Sequence, residues 1–144
     1  MTSPPVATQQ DTIDELLKKS ARPSVPIRQG FVQQGRRSEL TPGPLATFVR
    51  KHDGRGLDLY LLALALASHD PFQAVQPAGV WARALGLRGS SRRAAVSRSW
   101  KRLEDLKLVA RGRRGRTAAV TLLREDGTGE PYTYLGSRGD GYFQ

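Results

Sequence analysis

Between Arg88 and Arg116 the chain sets eleven basic side chains against two acids, Glu104 and Asp105. The bases are Arg88, Arg92, Arg93, Arg98, Lys101, Arg102, Lys107, Arg111, Arg113, Arg114 and Arg116. Guanidinium groups are suited to forked hydrogen bonding with phosphate oxygens and with the O6 and N7 edge of guanine. The 144 residues carry a net charge of +10, so this one stretch holds nearly all of the excess and reads as a local patch. Nucleic acid is the first partner such a field attracts, and an anionic membrane surface the second.

Other chemistry finds little footing. Ser68, His69 and Asp70 are the residue types of a hydrolytic triad, but three adjacent side chains cannot converge in a relay, so they read as a helix end. With no cysteine and only His52 and His69, neither a thiolate nucleophile nor a metal cluster is expected. The glycine-rich run from Gly136 to Gly141 precedes no helical pattern, which argues against a phosphate loop, and its Arg138-Gly139-Asp140 tripeptide reads as chance. No paired carboxylates or activated nucleophile stand out, so the chain is expected to be no enzyme and to use no cofactor. Trp81 and Trp100 have rings on which bases can stack, yet both occupy apolar helical positions and are assigned to the core.

The elements that must position the arginines follow from periodicity. A helix from Ser91 to Leu106 puts Val96, Trp100, Leu103 and Leu106 within a sector of about 120 degrees, facing a core. Ser91, Ala94, Arg98, Lys101, Arg102 and Asp105 fall on the other side. Before it, Pro77 to Leu87 reads as a compact helix closed by Gly86, which accepts left-handed geometry. After it, Leu108 to Arg111 and Thr117 to Leu123 are β-prone runs joined by Gly112 to Arg116, a hairpin with three arginines at its tip. Gln73 to Gln76 is suited to a short strand, and Tyr132, Tyr134 and Leu135 to another.

Residues 1–41 are rich in proline and glutamine without a sustained apolar period, the composition of a largely disordered arm. Within the arm a short helix is expected at 12–20, with acids at its start and lysines at its end. Gln33 to Arg37 reads as a linker, with a basic arm lying in a minor groove as its alternative. One folded domain is expected over 42–135, its first helix capped by Thr41, followed by a flexible or docking tail at 136–144. Leu57 to Ala67 leaves little polar face, so that helix is either central to the core or shared with a second copy. It is about half a membrane span, and the first 25 residues show no secretory pattern, so a cytoplasmic, nucleoid-associated protein is expected.

Ala82 to Leu87, followed by Ala95 to Val109, resembles the helix-turn-helix and wing of bacterial winged-helix regulators of the MarR kind, over about 65 residues. The turn, Arg88 to Arg93, is longer than usual in that family, a feature that winged helices of plasmid and phage replication or partition initiators tolerate. The resemblance implies a mainly α fold with a small β-hairpin wing that binds double-stranded DNA sequence-specifically, as a transcriptional regulator acting as a homodimer through the Leu57–Ala67 helix. Replication or partition initiation, or RNA or protein contact by the same fold, are the alternatives. It places Ser97, Arg98, Lys101 and Arg102 on a helix in the major groove, and Arg113, Arg114 and Arg116 on the wing. Arg88, Ser91, Arg92 and Arg93 complete the expected DNA-binding set, with Arg92 and Arg93 gripping phosphate at the start of that helix.

Overall fold

In the computed structural model, the described residues are 8–18, 27, 29–35, 38–67 and 72–132. They form a mixed α/β fold of five α-helices and two small antiparallel sheets. In chain order these are α1 (Gln9–Lys18), a 3-10 turn (Gln29–Phe31), β1 (Gln33–Gln34), β2 (Thr41–Pro42), α2 (Pro44–Arg50) and α3 (Gly54–Leu66), then β3 (Gln73–Val75), α4 (Ala78–Ala84), α5 (Arg92–Asp105), β4 (Val109–Arg114) and β5 (Thr117–Leu122).

The core is built around α3. Asp53 caps it by accepting a hydrogen bond from the Gly56 N–H at 3.0 Å. Leu59, Tyr60, Ala63 and Leu64 are buried, while Leu57, Leu61, Leu62 and Leu66 pack against the same cluster from its margin. Its apolar excess is therefore used largely inside this chain, in a cluster that also takes Phe31, Phe48, Trp81, Val96, Trp100, Leu103, Val109 and Leu122.

The larger sheet has the order β3-β5-β4, with Gln73 opposite Thr121 and Val109 opposite Leu122. Its third strand is thus Gln73–Val75. Of the run expected to supply another strand, Tyr132 is buried against Phe72, the neighbouring Pro131 makes a single bridge with Leu123, and Tyr134 and Leu135 lie outside the described residues. The expected tail at 136–144 and the Ser68-His69-Asp70 helix end also lie outside them.

Three helices end in the same way. After α2, α4 and α5 the chain turns through a residue with positive φ, namely His52 at 53°, Gly86 at 74° and Lys107 at 58°. In each case the next N–H reaches back to a carbonyl five residues earlier: Asp53 to Phe48, Leu87 to Ala82 and Leu108 to Leu103. This closure satisfies carbonyls that a bare helix end leaves open. Only at α4 does glycine occupy the left-handed position.

Of the arm before residue 41, residues 8–18 and 29–35 are among those described, and they carry regular elements that pack on the domain. Helix α1, described over Gln9–Lys18, begins before the expected 12–20, whose last two residues lie outside the described ones, and starts with a reciprocal cap in which Asp11 N–H donates to Thr8 Oγ1 at 3.0 Å and Thr8 N–H to Asp11 Oδ2 at 3.1 Å. The same Thr8 contact holds the Asp11 carboxyl below its ordinary pKa. Thr12 and Leu16 are buried, Arg83 Nε donates to Thr12 Oγ1 at 2.9 Å, and Gln9 Nε2 donates to the Ala84 carbonyl at 3.1 Å. Strands β1 and β2 pair Gln33 with Pro42 and Gln34 with Thr41, so Thr41 caps no helix. That position falls to Gly43, where a Cβ would overlap the carbonyl oxygens of Gly30 and Phe31. No helix among the described residues is long and apolar enough to cross a membrane.

Candidate nucleic-acid interface

Helix α5 forms because its buried residues recur at helical spacing. Ala95, Val96, Ser99, Trp100 and Leu103 face the core, while Arg92, Arg93, Ala94, Ser97, Arg98 and Lys101 are exposed. Its first residue is Arg92. Ser91 holds the N-cap position without a side-chain hydrogen bond to the helix. The two basic residues expected in the turn therefore form the first turn of α5, and Arg92 folds back to donate to the Gly89 carbonyl at 2.9 Å. Arg88 is exposed in the connection between α4 and α5.

The hairpin is longer and tighter than expected. Strand β4 runs on to Arg114, and the turn is the two residues Gly115 and Arg116, with Gly115 at φ 64°. Of the three arginines assigned to the tip, only Arg116 sits on the turn, whereas Arg113 and Arg114 are strand residues opposite Ala118 and Thr117. Alternation along the strand sends Arg111 and Arg113 to one face and Arg114 to the other. Arg113 Nη1 leans across the turn toward the Arg116 carbonyl at 3.5 Å.

Arg111 joins the two elements. Its Nε donates to Glu104 Oε1 at 2.7 Å and its Nη1 to Ser97 Oγ at 3.2 Å, so one guanidinium spans α5 and β4. This contact fastens the hairpin to α5 on the face of β4 that carries Arg111 and Arg113, while Arg114 projects from the other face.

Two expected residues are occupied otherwise. Arg102 does not project outward: its Nε and Nη2 close on Asp53 Oδ2 and Oδ1 at 2.9 and 3.0 Å, and Nη2 also donates to Ser99 Oγ at 3.1 Å. The wheel put it on the outer side because it could not show that the start of α3 lies there. The hydrogen bonds from Arg102 hold the Asp53 carboxyl below its ordinary pKa, against the opposing pull of burial. Lys101 pairs with Asp105 at 3.1 Å, but both side chains are more than 60 % exposed, so the contact is weak and exchangeable. The side chains of Arg93, Arg98, Arg114 and Arg116 make no hydrogen bond or ion pair with a described residue and, with that of Arg88, are the uncommitted cations of these elements.

Sequence reasoning missed the roles of Arg83, Arg111 and Glu104. Charge counting recorded Arg111 and Glu104, but only the register of β4 against α5 reveals them as a joint. Among the described residues no group of His, Asp and Glu is arranged to hold a metal ion. No protein-family model, no curated protein and no solved structure matches this chain.

Proposed function

We propose that the chain is a winged helix-turn-helix protein that binds double-stranded DNA, with α4 and α5 as the helix pair and β4–β5 as the wing. The reading is supported by the order helix, strand, helix, helix, strand, strand from α3 to β5, with the middle position of the sheet taken by the last strand. Trp81 and Trp100, assigned to the core by their spacing, are 2 % and 5 % exposed, which leaves the outer face of α5 to its cations.

The observation that carries the proposal is the Arg111 joint to Glu104 and Ser97, which fastens the basic hairpin beside the basic helix. A helix and a hairpin joined in this way can contact more than one phosphate row. Helix α5 enters the major groove, Arg98 reads a base edge, and Arg114 and Arg116 lie against the backbone or the neighbouring minor groove. One reading helix per chain gives modest specificity, so two copies on two half-sites complete the regulator.

Selection of bound duplexes from a random library, followed by anisotropy titration of the recovered site, tests this. Enrichment of a defined site whose binding weakens in Arg98→Ala supports the reading. Equal affinity for the site, scrambled duplex and heparin at about 150 mM salt overturns it, because specific binding keeps a ratio of about a thousandfold or more over nonspecific polyanions.

A further inference from the structure

A cleft of about 820 Å³ opens between the start of α1 and the connection from α4 to α5. Arg83, Arg88, Arg92 and Arg93 line it on the side of the helix pair, Thr8 and Gln9 on the side of α1, and the rest of its lining is uncharged. None of the described residues lining the cleft is acidic, although Arg83 also lines an adjoining pocket with Asp11 and Glu15. Arg83 spends only its Nε on Thr12, which leaves both terminal nitrogens of the guanidinium for another acceptor.

We propose, resting on the duplex-DNA reading above, that this cleft seats a run of backbone phosphates beyond the segment read by α5, with α1 as its far wall. Continuity favours the backbone as occupant: Arg92 and Arg93 line the cleft and also form the first turn of α5, so a strand lying along α5 passes directly into it. A free nucleotide is less well served, since the lining has no aromatic ring on which a base can stack. The helix at the amino-terminal side is therefore part of the binding surface, which enlarges the footprint by the phosphates that Arg83 and Arg88 neutralise.

The test measures the salt dependence of binding to a long duplex and to one trimmed to the segment that α5 and the hairpin cover. Arg83→Ala and Arg88→Ala are each expected to lower the slope of log affinity against log salt by about 0.9 on the long duplex. On the trimmed duplex they match the unaltered chain. Thr12→Val controls for docking of α1, because it removes the partner of Arg83 Nε and keeps the cation, and its slope stays that of the unaltered chain.

An unchanged slope for Arg83→Ala and Arg88→Ala on the long duplex, with binding still dependent on Arg98, overturns the cleft and leaves the DNA reading intact. Failure of the unaltered chain to bind any duplex removes both. Identical losses in Arg83→Ala and Thr12→Val reduce Arg83 to a fastening for α1. Micromolar binding of ATP that vanishes in Arg88→Ala, with duplex affinity unmoved, assigns the cleft to a small molecule and overturns the proposal.

Discussion

Trp81 meets Trp100 edge to face, with ring centroids 5.3 Å apart and planes at 83°, and this contact sets how α4 lies on α5. Both rings are almost fully buried, so the helix carrying Arg98 is oriented by a rigid apolar joint. Trp100→Ala is expected to cost about 3–5 kcal/mol in chemical denaturation, the range for removing a large buried aromatic. Trp100→Phe should retain most of that stability. A loss under about 1 kcal/mol in Trp100→Ala would mean the joint is not a structural keystone.

The pairing of Arg102 with Asp53 is expected to serve stability, not base reading. Asp53→Asn should lower unfolding free energy by about 1–3 kcal/mol, the worth of hydrogen bonds to a charged group in a partly buried site. Duplex selection by this variant should recover the same sequence as the unaltered chain.

The same pair has a pH signature. Because the Asp53 carboxyl is held below its ordinary value of 3.8, its contribution is complete above that value and disappears as pH falls through the lower, folded value. Urea titrations of the unaltered chain and of Asp53→Asn should therefore differ at pH 6, and the gap should narrow as pH falls below 3.8. A gap that widens in acid would have the wrong sign.

Arg98 and Arg114 should fail in different ways. Loss of Arg98 is expected to relax preference at one base pair by about 1–3 kcal/mol, whereas loss of Arg114 weakens all sequences alike and lowers the salt slope by about 0.9. Selected-site profiles and salt titrations separate the two.

Glu104→Gln releases Arg111 from a carboxylate and adds to the net positive charge of the face. Nonspecific duplex binding should tighten and become more salt dependent, with a stability loss of less than about 1 kcal/mol for a pair this exposed. Specific binding should suffer if the joint sets the angle of the hairpin. Improved specific and nonspecific binding together would show that the link does not position the wing.

The position of Lys107 offers a stability test independent of DNA. It takes the left-handed conformation that glycine occupies after α4. Lys107→Gly is expected to raise stability by about 0.5–1 kcal/mol through relief of backbone strain, measured as an upward shift of the thermal midpoint.

Periodic elements were the most legible. The spacing of Val96, Trp100 and Leu103 placed α5 correctly, the left-handed role of Gly86 is observed, and the strand at Gln73–Val75 lies where expected. Helix α1 was underestimated because composition over a 41-residue arm averages away a local signal: Thr8 and Asp11 stand at capping-box spacing, and Leu16 packs into the domain only through a distant partner helix. Arg102 was misassigned for a related reason. A helical wheel divides core from outside but contains no information on which neighbouring element contributes an acid to that outside.

The placement of β4 at the margin of its sheet has a consequence for how copies of this protein meet. A bare strand margin invites another chain to zip onto it, and proteins discourage this with like charges along the exposed row. Here Arg113 and Arg114 stand on that margin, and their like charges are expected to oppose such pairing between free molecules. A polyanion that covers these arginines lifts that opposition as it binds, so sideways association is expected among molecules already gathered on it, and a dilute solution without one should remain dispersed.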